Sequence, residues 1–164
     1  MVLLIGFMTV IPAVADGQVD IGLNYPYRFG IKSDNGDFDD VAKYVFLLPD
    51  IKLTYFFNEQ GIRFGAGARM WTLLLETMAY PVLTLETEIN RFVLSGHVGG
   101  GAFLYFGIIQ GFNTESIFLP EVTVAYKFGE RFSVGTGAMF FFAPEVADFD
   151  TFAYIGTIFA RFTF

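Results

Sequence analysis

The sequence predicts an all-β chain, eight antiparallel strands closed as an up-and-down transmembrane barrel. Three observations carry that reading. Apolar and polar residues alternate at period two in eight stretches between residue 18 and the end of the 164-residue chain, which sorts a strand into two unlike faces. The composition is 54% hydrophobic and 19% aromatic, with 22 Phe, more large apolar surface than a soluble domain of this size can hide. No run of about 18 apolar residues follows the N-terminus, so no transmembrane helix is available. Alternation is then the remaining way to meet lipid.

The elements follow in order. Residues 1–15 are a short apolar stretch with Pro12 and a small-residue end at Ala13 and Ala15. That pattern predicts a secretory signal peptide cut after Ala15, itself truncated because no Lys or Arg precedes it, with residues 16–164 as one barrel domain. Strands are expected at 18–30, 44–57, 62–75, 80–90, 92–107, 117–128, 132–142 and 151–164. Each is long enough for a tilted crossing, which takes about 9–11 residues. Asn58–Gly61, Asn90–Arg91 and Gly129–Glu130 read as tight turns. Longer polar links fall at 31–43, 109–116 and 143–150, with a short link at Glu76–Ala79. Short turns on one side and longer loops on the other is the outer-membrane pattern, with the short turns periplasmic.

The two faces of each strand differ in kind. Strand one sets Val19, Ile21, Leu23, Tyr25, Tyr27 and Phe29 against Asp20, Asn24 and Arg28. Strand two sets Ile51, Leu53, Tyr55 and Phe57 against Asp50, Lys52 and Thr54. Strand three sets Ile62, Phe64, Ala66, Ala68 and Met70 against Arg63, Arg69 and Trp71. Strand four sets Leu83, Leu85 and Ile89 against Thr84, Glu86 and Glu88. Strand five sets Phe92, Leu94 and Val98 against Ser95 and His97. Strand six sets Val122, Val124 and Tyr126 against Glu121, Thr123 and Lys127. Strand seven sets Phe132, Val134 and Phe140 against Ser133, Gly135 and Gly137. The last sets Phe152, Tyr154, Ile158, Phe162 and Phe164 against Thr157, Arg161 and Thr163.

A soluble ligand barrel would turn the apolar face inward; a membrane barrel turns it outward. An uncharged face about ten residues long aggregates in water, whereas lipid requires it. Closure then removes the strand edges that hydrocarbon does not tolerate. Aromatic girdles are expected at Phe57, Phe64, Phe92, Phe128, Phe132 and Phe164 below, and at Tyr27, Phe29, Phe106, Phe118, Phe142 and Phe152 above.

The lumen is then expected to hold Asp20, Asp50, Glu86, Glu88 and Glu121 with Arg28, Lys52, Arg63, Arg69, Lys127 and Arg161. Eight strands leave room only for side chains, and an unpaired buried charge costs several kcal/mol. These groups should therefore pair into a plug, the alternative being a gated pore. Almost all the net charge of −7 falls on the outer loops. Above the ionic floor, Phe46, Leu48, Leu73, Tyr80, Val82, Phe103, Tyr105, Leu119, Met139, Phe141 and Ile155 should point inward. They form either a packed interior or an apolar cup open to the outside for a small hydrophobic molecule.

Three smaller features bear on chemistry. With Asn90–Arg91 as a two-residue turn, Glu86 pairs across from Ser95 and Thr84 from His97, the only histidine. Ser95, His97 and Glu86 are the ingredients of nucleophilic hydrolysis, but inside a lumen they read first as a hydrogen-bonded plug. Asp34, Asp37, Asp39 and Asp40 offer oxygen ligands without the spacing of a calcium loop, so a solvated acidic loop is expected. With no cysteine, phosphate loop, metal cluster or basic stripe, no cofactor and no nucleic acid are expected.

The mature length, the alternating strands, the turns and the closing Phe162 and Phe164 resemble small outer-membrane barrels of the OmpA, OmpX and OmpW kind. The resemblance covers about residues 18–164 and is one of architecture. It implies a bacterial outer-membrane location and a monomer inserted by the barrel-assembly machinery. It also implies contact with outer-membrane lipid and lipopolysaccharide, in a non-enzymatic structural or surface role. The group also includes barrels that take up small hydrophobic molecules, and lipid A deacylases that use a Ser, His and Glu trio.

Overall fold

Strand alternation closes on itself without an edge. The structure, a computed structural model, describes residues 16–32, 36–41, 47–73, 76–107, 111–114, 117–142 and 152–164. Its strands are β1 (Asp16–Lys32), β2 (Phe38–Val41), β3 (Leu48–Phe56), β4 (Ile62–Leu73), β5 (Glu76–Ile89) and β6 (Phe92–Gly100). They continue with β7 (Phe103–Gly107), β8 (Gly111–Asn113), β9 (Phe118–Lys127), β10 (Phe132–Phe141) and β11 (Phe152–Thr163). Eight crossings form the wall, in the ring order β1, β3, β4, β5, β6 with β7, β9, β10, β11 and back to β1. Every neighbouring pair is antiparallel, and β1 meets β11 from Asp20 opposite Thr163 to Lys32 opposite Phe152. Among the described residues, neighbouring strands thus pair their backbone groups all round the wall, the condition for spanning hydrocarbon.

Burial alternates as a membrane barrel requires. Along β3 the inward Leu48, Asp50, Lys52, Thr54 and Phe56 are buried, while Leu53 and Tyr55 are exposed. Along β5, Val82, Thr84 and Glu86 are buried between exposed Leu83 and Leu85. Ile21, Phe64, Phe92, Val122, Ile158 and Phe162, from five different strands, are exposed too. Large apolar side chains therefore clothe the outside, and charges the inside.

Three expected elements come out differently. The link at Glu76–Ala79 is strand, paired with residues 70–73 of β4. The single strand expected over 92–107 breaks at Gly101 and Ala102, dividing β6 from β7. β2 and β8 are short additions on β1 and β7. The expected signal peptide at 1–15 lies outside the described residues.

The clearest correction concerns Arg28. The β1–β11 register shifts between Pro26 and Arg28, a bulge that places one extra residue on β1. Beyond it Arg28 stands opposite Gly156, and Phe29 opposite Ile155. The two residues exchange the faces expected of them. Arg28 leaves the lumen and pairs with Asp39 of β2, on a hairpin that extends past the wall. This guanidinium, with the Tyr154 phenol, holds the Asp39 carboxyl down at about 2 against its ordinary 3.8. An acid depressed in the fold adds stability that is complete above 3.8 and is lost as pH falls through about 2. Titrating Asp39 by carboxyl NMR in micelles is expected to give a midpoint near 2, and Arg28→Ala should return it toward 3.8. A wild-type midpoint already at 3.8 would mean that the pair does not form in solution.

Candidate functional site

The lumen is the candidate site, and it is built in two storeys. In the lower storey, inward positions of adjacent strands carry charges of both signs. Asp50 and Arg69 face each other obliquely across the β3–β4 ladder, where Lys52 is opposite Arg69 and Asp50 opposite Trp71. Arg69 donates from Nε to Asp50 Oδ1 at 2.8 Å and from Nη2 to Oδ2 at 2.9 Å. Its Nη1 donates to Glu121 Oε2 at 2.5 Å. Glu121 lies on β9, three places round the ring from β4. One guanidinium thus ties two walls together through the middle of the barrel. All three side chains are buried. A buried charge persists only when paired and hydrogen-bonded, and this triad satisfies both conditions.

Below the triad lies a second set. Lys52 Nζ sits 3.2 Å from Asp20 Oδ2, both buried. Asp20 also accepts from Thr163 Oγ1 at 2.7 Å and from Gln18 Nε2 at 3.1 Å. Arg63 pairs with Glu86 and lies 4.0 Å over the Phe56 ring. Arg161 lies 4.6 Å over the Phe159 ring, a cation–π contact that suits a charge held away from water. Lys127 and Glu88 pair at 2.8 Å, but both are partly exposed, so they stand at the mouth. A polar cavity of about 60 Å³ opens here among Gln18, Asp20, Arg63, Glu86, Lys127 and Arg161. That is room for a few water molecules.

The upper storey is apolar. Leu48, Trp71, Tyr80, Phe103, Leu119 and Met139 pack as one cluster, each at most 3% exposed. Met78, Tyr105, Ile117, Phe141 and Ile155 pack against it. Val82 is buried as well. The described residues of the expected cup therefore touch one another rather than line an open bowl. Phe46 and the Leu73 side chain lie outside the described residues. Tyr80 fits because Gly99 has no side chain: a Cβ there would stand 2.4 Å from the ring.

Ser95, His97 and Glu86 come together in the expected register, Thr84 opposite His97 and Glu86 opposite Ser95. Their bonding is not that of a catalytic trio. Ser95 Oγ donates to Glu86 Oε2 at 3.1 Å. His97 Nδ1 is engaged by Thr84 Oγ1 at 3.1 Å, and Nε2 has no protein hydrogen-bond partner. Neither ring nitrogen holds Ser95, whereas a hydrolytic histidine must take the proton of its nucleophile. His97→Ala is expected to leave outer-membrane lipid acylation unchanged by mass spectrometry of extracted lipid. A changed acyl pattern would revive the hydrolase.

The acidic hairpin is committed elsewhere. Asp39 is held by Arg28, Asp37 is exposed, Asp40 has partners of its own, and Asp34 lies outside the described residues. Among the described residues no cluster of three or more His, Asp or Glu could hold a metal ion.

Sequence reading missed two lumen residues, Phe56 and Phe159, which are buried and carry the two guanidinium contacts. The signal was present: Phe56 continues the inward series Asp50, Lys52, Thr54, and Phe159 lies between Thr157 and Arg161. The inward aromatics expected from the sequence fall in the apolar upper half of the lumen, whereas these two lie in the ionic floor, beside Arg63 and Arg161.

No protein-family model and no curated protein matches this sequence. The fold does match solved structures. The crystal structure of Neisserial surface protein A aligns over 92% of this chain and 99% of its own, at a TM-score of 0.53 and 11% identity. That of Ail, the attachment invasion locus protein of Yersinia pestis, aligns over 91% and 99%, at 0.50 and 15%. The fold is that of a small outer-membrane barrel. At such identities the likeness is of architecture.

Proposed function

We propose that this chain is a non-enzymatic barrel of the bacterial outer membrane, with a lumen that is a structural plug and a working surface that is its outside. The observation that carries this reading is the Asp50–Arg69–Glu121 triad, a buried bar across the bore with a packed apolar layer above it. A bore closed at two levels leaves the loops, the rim and the lipid-facing wall to meet partners. The loops hold most of the acidic excess. The names of the two similar barrels, a surface protein and an attachment protein, agree with a role at the cell surface. Contacts with membrane lipid and lipopolysaccharide, and insertion by the assembly machinery through Phe162 and Phe164, belong to the same reading. Uptake of a small hydrophobic molecule from above would need the cup residues to stand apart. Packed as one cluster, they support the plug instead.

Planar-bilayer recording of the purified protein tests the plug. The expected trace stays at the level of empty lipid at neutral pH. Steady current steps from the wild-type chain would sink the closed lumen and return the gated pore.

A further inference from the structure

Among the described residues, the apolar cladding of the outer wall has a dent. Most outward positions carry large side chains, but beside β4, β5 and β6 a groove of about 270 Å³ opens, lined by Ala66, Pro81, Leu83, Val98, Gly100 and Phe118 among others. Its cause is a fault in the ladder. β5 pairs Val82 with Gly99 of β6, then Ala79 with Leu104 of β7. The β6–β7 side therefore holds two more residues than β5 across the gap. The surplus is taken up at Gly100 and Gly101, whose φ values are 125° and 80°, a region that side chains rarely adopt. A Cβ on Gly100 would stand 2.1 Å from the Ile117 carbonyl oxygen. The dent is thus built into the backbone and cannot be filled there by an ordinary side chain.

We propose that this groove seats one lipid acyl chain, from the leaflet on the loop side of the barrel. The groove is uncharged and continuous with the exposed apolar belt, in which Leu83, Val98 and Phe118 are themselves exposed. The solvent that meets this belt is hydrocarbon. A chain lying in a trough touches protein on three sides instead of one. Each added carbon–carbon contact is worth about 0.1–0.2 kcal/mol, so a handful of them lengthens residence about threefold over chains on the flat wall. The inference rests on the membrane reading of the fold and is independent of the plug.

The test uses the full-length barrel in phosphatidylcholine vesicles. The photo-crosslinker benzoylphenylalanine replaces Leu83 at the groove or, as a control, Ile158 on the β11 wall, both exposed. Lipid adducts are counted by mass spectrometry. The expected yield from position 83 is about three times that from 158, falling to the control level when Ala66→Phe fills the trough. Ala160→Phe, on the far wall, should change nothing at 83 and checks that an added ring is tolerated. Equal yields from 83 and 158, or a yield at 83 that Ala66→Phe leaves intact, would overturn the seat alone. Crosslinks from 83 to a second copy of the chain would replace the acyl chain with a protein interface. No lipid adduct from either position would overturn the membrane reading, and the seat with it.

Discussion

Replacing Arg69 with Ala is expected to lower the stability of the folded barrel by about 3–5 kcal/mol and to make the lumen conduct. Arg69 is the single cation between two buried acids, Asp50 and Glu121. Without it both carboxylates stay inside the barrel and lose the cation that holds them by hydrogen bonds. Deleting one partner of a buried pair costs more than the pair itself contributes, because the remaining charge keeps its desolvation penalty. The variant should unfold from vesicles at lower urea, followed by tyrosine and Trp71 fluorescence. It should also show current steps where the wild type shows none, because the bar from β4 to β9 is gone. Removing the charges together separates the two effects. Arg69→Met with Asp50→Asn and Glu121→Gln should recover most of the stability. If the triple variant is as unstable as Arg69→Ala, the triad acts through shape and not through charge.

Much of this fold was legible because strand period and turn length are local properties. The Asn90–Arg91 turn was enough to pair Thr84 with His97 and Glu86 with Ser95, since a two-residue turn leaves one register. Asn90 itself sits at φ 58°. The ionic floor was legible because a charge on an otherwise apolar strand has only one tolerable side. What escaped depends on neighbours. Alternation counts residues, so it carries Arg28 inward. The bulge after Pro26, which sends Arg28 outward to Asp39, is set by the pairing with β11. The break after Gly100 is likewise a mismatch between β5 and the strand beside it. The inward Phe56 and Phe159 lie against glycines of adjacent strands. A Cβ on Gly135 would stand 2.5 Å from the Phe159 ring, and one on Gly65 3.0 Å from that of Phe56. That pairing of large with absent side chains across a ladder is visible only once register is known.

Phe103→Ala is the second large effect, and it decides between a packed interior and a cup. Phe103 is fully buried, with the Tyr80 and Tyr105 rings at centroid distances of 5.8 Å and 6.1 Å. Truncating a buried Phe costs about 3–5 kcal/mol, part of it lost transfer and part the cavity left behind. The cost depends on collapse. Here the neighbours hang from a closed wall whose strands cannot move inward singly, so the hole should persist. A persistent apolar hole stays dry and takes up small apolar solutes. The variant should therefore bind xenon or benzene in the upper storey, seen as shifts of Met139 and Leu119 methyl resonances, while the wild type shows none. If the wild type binds benzene there as well as the variant does, the upper storey is a cup and its residues form a binding site. If neither binds and Phe103→Ala costs under about 1 kcal/mol, well below the cavity expectation, the ring is not packed as described. Only a wild type that refuses the solute and a variant that accepts it fit a lumen filled by its own side chains.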